Sequence, residues 1–95
     1  MKSSDLAEGT MVEVELNDTA ILLSRIDGEV YAVSATCTHE ATDLGIGFKI
    51  EERVVCPLHL SQFDLRTGEV QNPPATEPLK RFNVKIDAGT IFVEI

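Results

Sequence analysis

The chain reads as a single all-β domain. Three observations predict it. Apolar residues recur with period two in several short runs, the signature of half-buried strands. Turn signals built on Gly, Asn, Asp and Pro punctuate the chain at short intervals. No window of eleven or more residues carries apolar residues at helical spacing. Ninety-five residues suit one domain, which buries roughly two thirds of its unfolded surface. Many short strands with frequent turns specify an antiparallel sandwich or barrel.

The elements follow in order. Met11 to Leu16 alternates, with Val12, Val14 and Leu16 on one face and Glu13 and Glu15 on the other. Asn17-Asp18 turns, and Ala20 to Ile26 is apolar and branched, a buried strand. Asp27-Gly28 is a hairpin signal, because glycine accepts the positive φ that a tight turn needs. Glu29 to Ser34 is the return strand. Residues 35–47 are polar and broken by Gly45 and Gly47, so they form a loop. Phe48 to Val55 forms one strand, and Cys56 to Leu60 a second loop stiffened by Pro57. Gln62 to Leu65 is a short strand that turns at Arg66-Thr67-Gly68 into Glu69-Val70. Asn72-Pro73-Pro74-Ala75 is a rigid loop, since two prolines remove ladder donors. Arg81 to Ile86 points Phe82, Val84 and Ile86 inward, Asp87-Ala88-Gly89 turns, and Ile91, Val93 and Ile95 alternate to close the chain.

Charge narrows the partners. Sixteen acids against eight bases give a formal net charge of −8. That argues against nucleic acid and against an anionic membrane surface. Residues 1–48 hold nine acids and two bases, so one face is expected to be acidic. No basic region followed by an apolar run opens the chain, and no stretch of about 18 apolar residues occurs. A cytoplasmic, reducing compartment is the expectation, and there cysteines serve as ligands or thiols rather than disulfides.

The two cysteines and two histidines fall into Cys37-Thr38-His39 and Cys56-Pro57-Leu58-His59. Sixteen residues separate His39 from Cys56. A Cys37–Cys56 disulfide would leave both histidines unexplained. A catalytic Cys–His pair lacks an orienting third group. Two thiolates and two imidazoles suit either structural zinc or an iron–sulfur cluster. Zinc sites usually group like ligands, whereas each loop here supplies one Cys and one His. If approximate symmetry relates the loops, one iron of a binuclear centre takes both thiolates and the other both imidazoles.

On these motifs, the Phe63 to Val70 run and Asn72-Pro73-Pro74-Ala75, the chain resembles the Rieske proteins over almost its whole length. In size and motif it is similar to the Rieske-type [2Fe-2S] ferredoxins of bacterial multicomponent aromatic-ring dioxygenases. The resemblance implies the Rieske fold, with a β-sandwich or barrel base over residues 1–35 and 77–95. A small cluster-binding subdomain would span 36–76. It implies one cluster per chain, with Cys37 and Cys56 on one iron and His39 and His59 on the other. Ser61 matches a hydroxyl that can reach a bridging sulfide. Phe63 stands where high-potential members have a tyrosine, and Pro73-Pro74 would wall the cluster. Those members also join an extra cysteine from each loop in a disulfide, which this chain cannot form. Fewer hydrogen bonds to sulfur lower the potential, so it is expected at the lower end of the roughly −150 to +300 mV Rieske range. Leu60 replaces a common glycine, at a strain of order 1–2 kcal/mol if φ is positive there.

The implied role is a soluble one-electron carrier, not itself an enzyme. It would be a monomer that docks briefly with a flavoprotein reductase and a terminal oxygenase. Pro57, Leu58 and Leu60 would form an apolar tip, rimmed by Glu40 and Asp43. The alternatives are the electron-input subunit of another oxidoreductase, such as a nitrite reductase, and a structural zinc module that binds proteins. A whole oxygenase is excluded, because 95 residues with no spare histidine leave no room for its catalytic iron.

Overall fold

The computed structural model describes residues 1–38, 43–57, 60–73 and 75–94. Among the described residues, nine strands form two antiparallel sheets: β1 Met11–Leu16, β2 Thr19–Ile26, β3 Glu29–Ser34, β4 Phe48–Ile50, β5 Arg53–Val55, β6 Gln62–Asp64, β7 Val70–Asn72, β8 Arg81–Asp87 and β9 Thr90–Glu94. The larger sheet runs β1-β2-β3-β8-β9, and the smaller β4-β5-β6-β7. The all-β expectation holds.

The β1–β2–β3 meander forms where alternation and turn chemistry place it. Asn17 and Asp18 take positive φ between β1 and β2, as do Asp27 and Gly28 between β2 and β3. Such turns match the right-handed twist of the flanking strands. The register pairs Val12 with Leu23 and Val14 with Ile21, and Leu22 with Val33.

β2 and β3 are covered on both faces, which explains why Ala20 to Ile26 lacks alternation. Ile21, Leu23, Val30 and Ala32 pack with Leu6, Phe82 and Ile91 on one side. Leu22, Ile26 and Val33 pack on the other, against Val54, Phe63, Leu65 and Leu79. The second core lies between the sheets, and the inner face of the small sheet closes it. Cross-strand pairing sets Val54 beside Phe63 and Phe63 beside Val70 on that face.

The structure corrects three details. Phe48 to Val55 is not one strand but a hairpin turning at Glu51-Glu52, with Glu51 at φ +53°. Ile86 is not inward but 46% exposed, because the β8–β9 hairpin runs out of the core toward its Ala88-Gly89 turn. Leu16 is 38% exposed, because the β1–β2 hairpin likewise leaves the core as it approaches its Asn17-Asp18 turn. The 35–47 loop also contains a short 3-10 turn, Leu44–Ile46, with Leu44 fully buried.

The N-terminal segment is tied on by backbone bonds to the β8–β9 hairpin and by the Arg25 guanidinium. Arg25 donates from Nε to the Leu6 carbonyl (2.8 Å), from Nη1 to the Gly28 carbonyl (3.0 Å) and from Nη2 to Ser3 Oγ (2.6 Å). Glu8 accepts from the Asp27 and Gly28 N–H groups and caps that hairpin. Among the described residues no helix is long and apolar enough to cross a membrane.

Candidate metal centre

Each cysteine sits just beyond a strand whose end is fixed by backbone bonds. Cys37 follows β3. The Ser34 N–H donates to Lys80 O (2.8 Å), the Ala35 N–H to Ala20 O (2.9 Å) and the Leu44 N–H to Ala35 O (2.7 Å). Thr36 and Asp43 form an antiparallel bridge, so the loop returns to its own start. Cys56 follows β5. Its N–H donates to Ser61 O (2.8 Å), and its carbonyl accepts from the Leu60 N–H (3.1 Å). That closure holds Leu60 at φ +61°, the conformation whose strain the sequence raised.

Both cysteines are 1% exposed and belong to the same buried cluster, with Phe63, Leu65 and Ala75 among its members. They are not joined in a disulfide. Two loops distant in sequence thus bring their thiols into one apolar cluster. Thiols tolerate burial, but it is the thiolate that binds metal. Phe63, fully buried in that cluster, adds no hydroxyl to it.

A third segment braces both loops. Thr38 Oγ1 donates to Glu77 O (2.7 Å). The Ala75 N–H donates to Ser61 Oγ (3.1 Å) at a buried site. Asn72 Nδ2 reaches Leu60 O at 3.4 Å. The stretch after Pro74 is therefore held by one hydroxyl from each cysteine loop, and Asn72 ties the stretch before it to the second loop.

Two glycines let the parts close up. A Cβ on Gly47 would overlap the Val55 carbonyl oxygen, so only glycine lets the first loop lie against β5 just before Cys56. A Cβ on Gly45 would overlap Glu13 Oε1 and lie 3.0 Å from Asp43 Oδ1. Asp43 Oδ1 accepts from the Gly45 N–H (2.8 Å). Donating to Asp43 in its protonated form, partly desolvated, and repelled by Asp43 and Glu15, the Glu13 carboxyl is pushed up from 4.5 to about 7.

Of the predicted site residues, the structure brings Cys37, Cys56, Ser61 and Phe63 together and leaves Asp43 and Leu60 exposed and Pro57 half-buried. His39, Glu40, Leu58, His59 and Pro74 lie outside the described residues. No group of three metal-ligating side chains occurs among the described ones. The pattern of one thiol and one imidazole per loop, with both thiols buried in one cluster, fits a binuclear iron–sulfur centre. Sequence reasoning misses the Thr38, Asn72 and Gly47 contacts. Only the Pro73-Pro74 stiffness signals that a third segment closes on the loops.

The family model of the Rieske [2Fe-2S] domain matches residues 1–83. The chain is 39% identical over 91 residues to the ferredoxin component of the naphthalene 1,2-dioxygenase/salicylate 5-hydroxylase systems of Ralstonia sp, covering 96% of this chain and 88% of that one. Its fold is similar to the ferredoxin of carbazole 1,9a-dioxygenase from Nocardioides aromaticivorans IC177, with a TM-score of 0.89, 28% identity and coverage of 98% and 91%. It is also similar to a chain in the complex of reduced oxygenase and oxidized ferredoxin of carbazole 1,9a-dioxygenase. There the TM-score is 0.88 and the identity 30%, with coverage of 98% and 96%.

Proposed function

Because the chain belongs to the Rieske [2Fe-2S] domain family, we propose that it is the ferredoxin component of an aromatic-ring dioxygenase system. It takes single electrons from a flavoprotein reductase and delivers them to a terminal oxygenase. The observation that carries this is two buried thiols in one cluster, in a chain that matches ferredoxin components along nearly its whole length. The protein is an electron carrier and not the oxygenase. Its work is cytoplasmic and monomeric.

Cys37 and Cys56 would hold one iron, and His39 and His59 the other. Bound there, the cluster supplies one-electron redox chemistry. The chain's own residues set the conditions. Burial of both thiols excludes water from the sulfurs. Ser61 accepts from the Ala75 N–H, which fixes its oxygen and leaves its hydroxyl proton to donate. Phe63 supplies no hydroxyl, and the missing hydrogen bond keeps the potential in the lower part of the Rieske range. Residues 36–76 act as the cluster-binding subdomain on the base formed by 1–35 and 77–95. The Pro73-Pro74 segment would wall the cluster, as the resemblance implies, and proline's restricted φ would make that wall stiff.

Docking falls to Pro57, Leu58 and Leu60, with Glu40 and Asp43 on the rim. Redox encounters bury little surface and depend on charge for speed. The test is a visible and EPR spectrum of the purified protein. A Rieske spectrum lost in His59→Ala supports the reading; a colourless protein carrying zinc refutes it.

A further inference from the structure

Six non-glycine residues take positive φ among the described residues: Asn17, Asp18, Asp27, Glu51, Leu60 and Ala88. Five of them lie in hairpin turns, where the strand twist calls for that conformation. Leu60 is the exception. Its φ of +61° accompanies the closure of residues 56–61, where Cys56 bonds both Ser61 and Leu60. Glycine meets that demand without strain, and a branched apolar side chain does not.

Among the described residues, neither core cluster takes in the leucine to offset the strain. At 55% it is the most exposed large hydrophobic among the described residues, and it is absent from both core clusters. A strained residue that the fold itself does not use points to a role outside the fold. Its place is informative too. Leu60 directly follows His59 in the sequence and lies at the Cys56 end of the small sheet. Phe48, 51% exposed, opens the edge strand β4 at the same end, paired with Val55 just before the Cys56 loop.

We infer that Leu60 is the apolar anchor of the contact with the terminal oxygenase, seated in an apolar recess of that partner with Phe48 on its flank. This rests on the ferredoxin reading above. The oxygenase is chosen over the reductase because a similar chain stands in a complex of oxygenase and ferredoxin. A few well-packed, desolvated residues carry most of the energy of an interface, so truncating one of them has a measurable effect.

The test compares Leu60→Gly and Leu60→Ala with the wild-type holoprotein. The probes are the terminal oxygenase and the flavoprotein reductase of the naphthalene system of the Ralstonia relative. Both variants lack the anchor, but only glycine relieves the strain. The oxygenase's KM for the ferredoxin should rise about tenfold in both variants, well beyond any change in the reductase's KM, with the EPR spectrum unchanged. Leu60→Gly should melt at or above the wild-type temperature, and Leu60→Ala below Leu60→Gly. An unchanged oxygenase KM overturns the inference, as does a shift confined to the reductase step. A Leu60→Gly protein that melts well below wild type overturns it too, since the leucine would then be packing within the chain. Wild type that carries the Rieske spectrum yet reduces no oxygenase refutes the ferredoxin reading itself, and this inference with it.

Discussion

Ser61→Ala removes one oxygen and should be felt in two loops. Ser61 is fully buried, and its Oγ accepts from the N–H of Ala75, a residue only 3% exposed. Alanine at 61 leaves that N–H buried with no acceptor. Stranding a buried donor costs about 1–3 kcal/mol, more than the net worth of the bond. Because Ser and Ala differ by a single heavy atom, cavity formation adds little. A loss of about 2 kcal/mol corresponds to a melting temperature lower by roughly 8–16 °C for a domain of this size. Urea unfolding measures the global loss. Hydrogen exchange reads the local one: the Ala75 amide should exchange about 30-fold faster, the same free energy expressed as a rate ratio. Ser61→Thr keeps the hydroxyl and is the control for side-chain chemistry. A Ser61→Ala protein within about 0.5 kcal/mol of wild type, with an unchanged Ala75 exchange rate, would refute the brace between the second cysteine loop and the third segment.

Three further outcomes follow from the same contacts and from the buried polar atoms. Gly47→Ala drives a Cβ into the Val55 carbonyl oxygen, a rigid neighbour, so it should destabilise by about 2 kcal/mol, read by urea unfolding, with iron content falling as well. Glu13 has a folded-state pKa raised from 4.5 to about 7. The folded state therefore holds more protons across that window, and stability falls as pH rises from about 4.5 to 7 and is flat above it. Because Glu13 is exposed to water, the effect should stay below about 1 kcal/mol; a melting-temperature series against pH checks it, and Glu13→Gln should flatten the slope. Ser24 Oγ is buried without a hydrogen-bond partner among the described residues, so Ser24→Ala should stabilise by about 1 kcal/mol, measured by urea unfolding.

The strands are legible where local chemistry dictates them. Val12 and Val14 alternate with Glu13 and Glu15, and Asn17-Asp18 and Asp27-Gly28 favour turns. Together they predict the meander, because alternation and positive φ are both local properties. The β4–β5 turn is not legible, because Glu51-Glu52 carries none of the residues that favour positive φ; an exposed glutamate tolerates it when the strands on both sides pair. Ile86 and Leu16 follow the alternation yet end up exposed, since periodicity tells which face a residue takes but not where the core stops. In the site, the four Cys and His residues announce themselves through their spacing. The resemblance marks position 60 as one where glycine is common, but the positive φ at Leu60 is set by the closure of the Cys56 loop and is not legible in the sequence. The contacts of Gly47 with Val55, Thr38 with Glu77 and Glu13 with Asp43 join segments separated in sequence. No local pattern encodes such pairings; they arise only once strands such as β4 and β5 or β3 and β8 have paired and the loops settle against them.

The assignment of Cys37, His39, Cys56 and His59 to one Rieske-type cluster is tested most directly by iron and sulfide analysis combined with pulsed EPR of the reduced protein. Two irons and two sulfides per chain are expected, with nitrogen couplings from two histidines that disappear in His39→Ala and His59→Ala. Zinc in place of iron, or a cluster signal lacking nitrogen coupling, would contradict it.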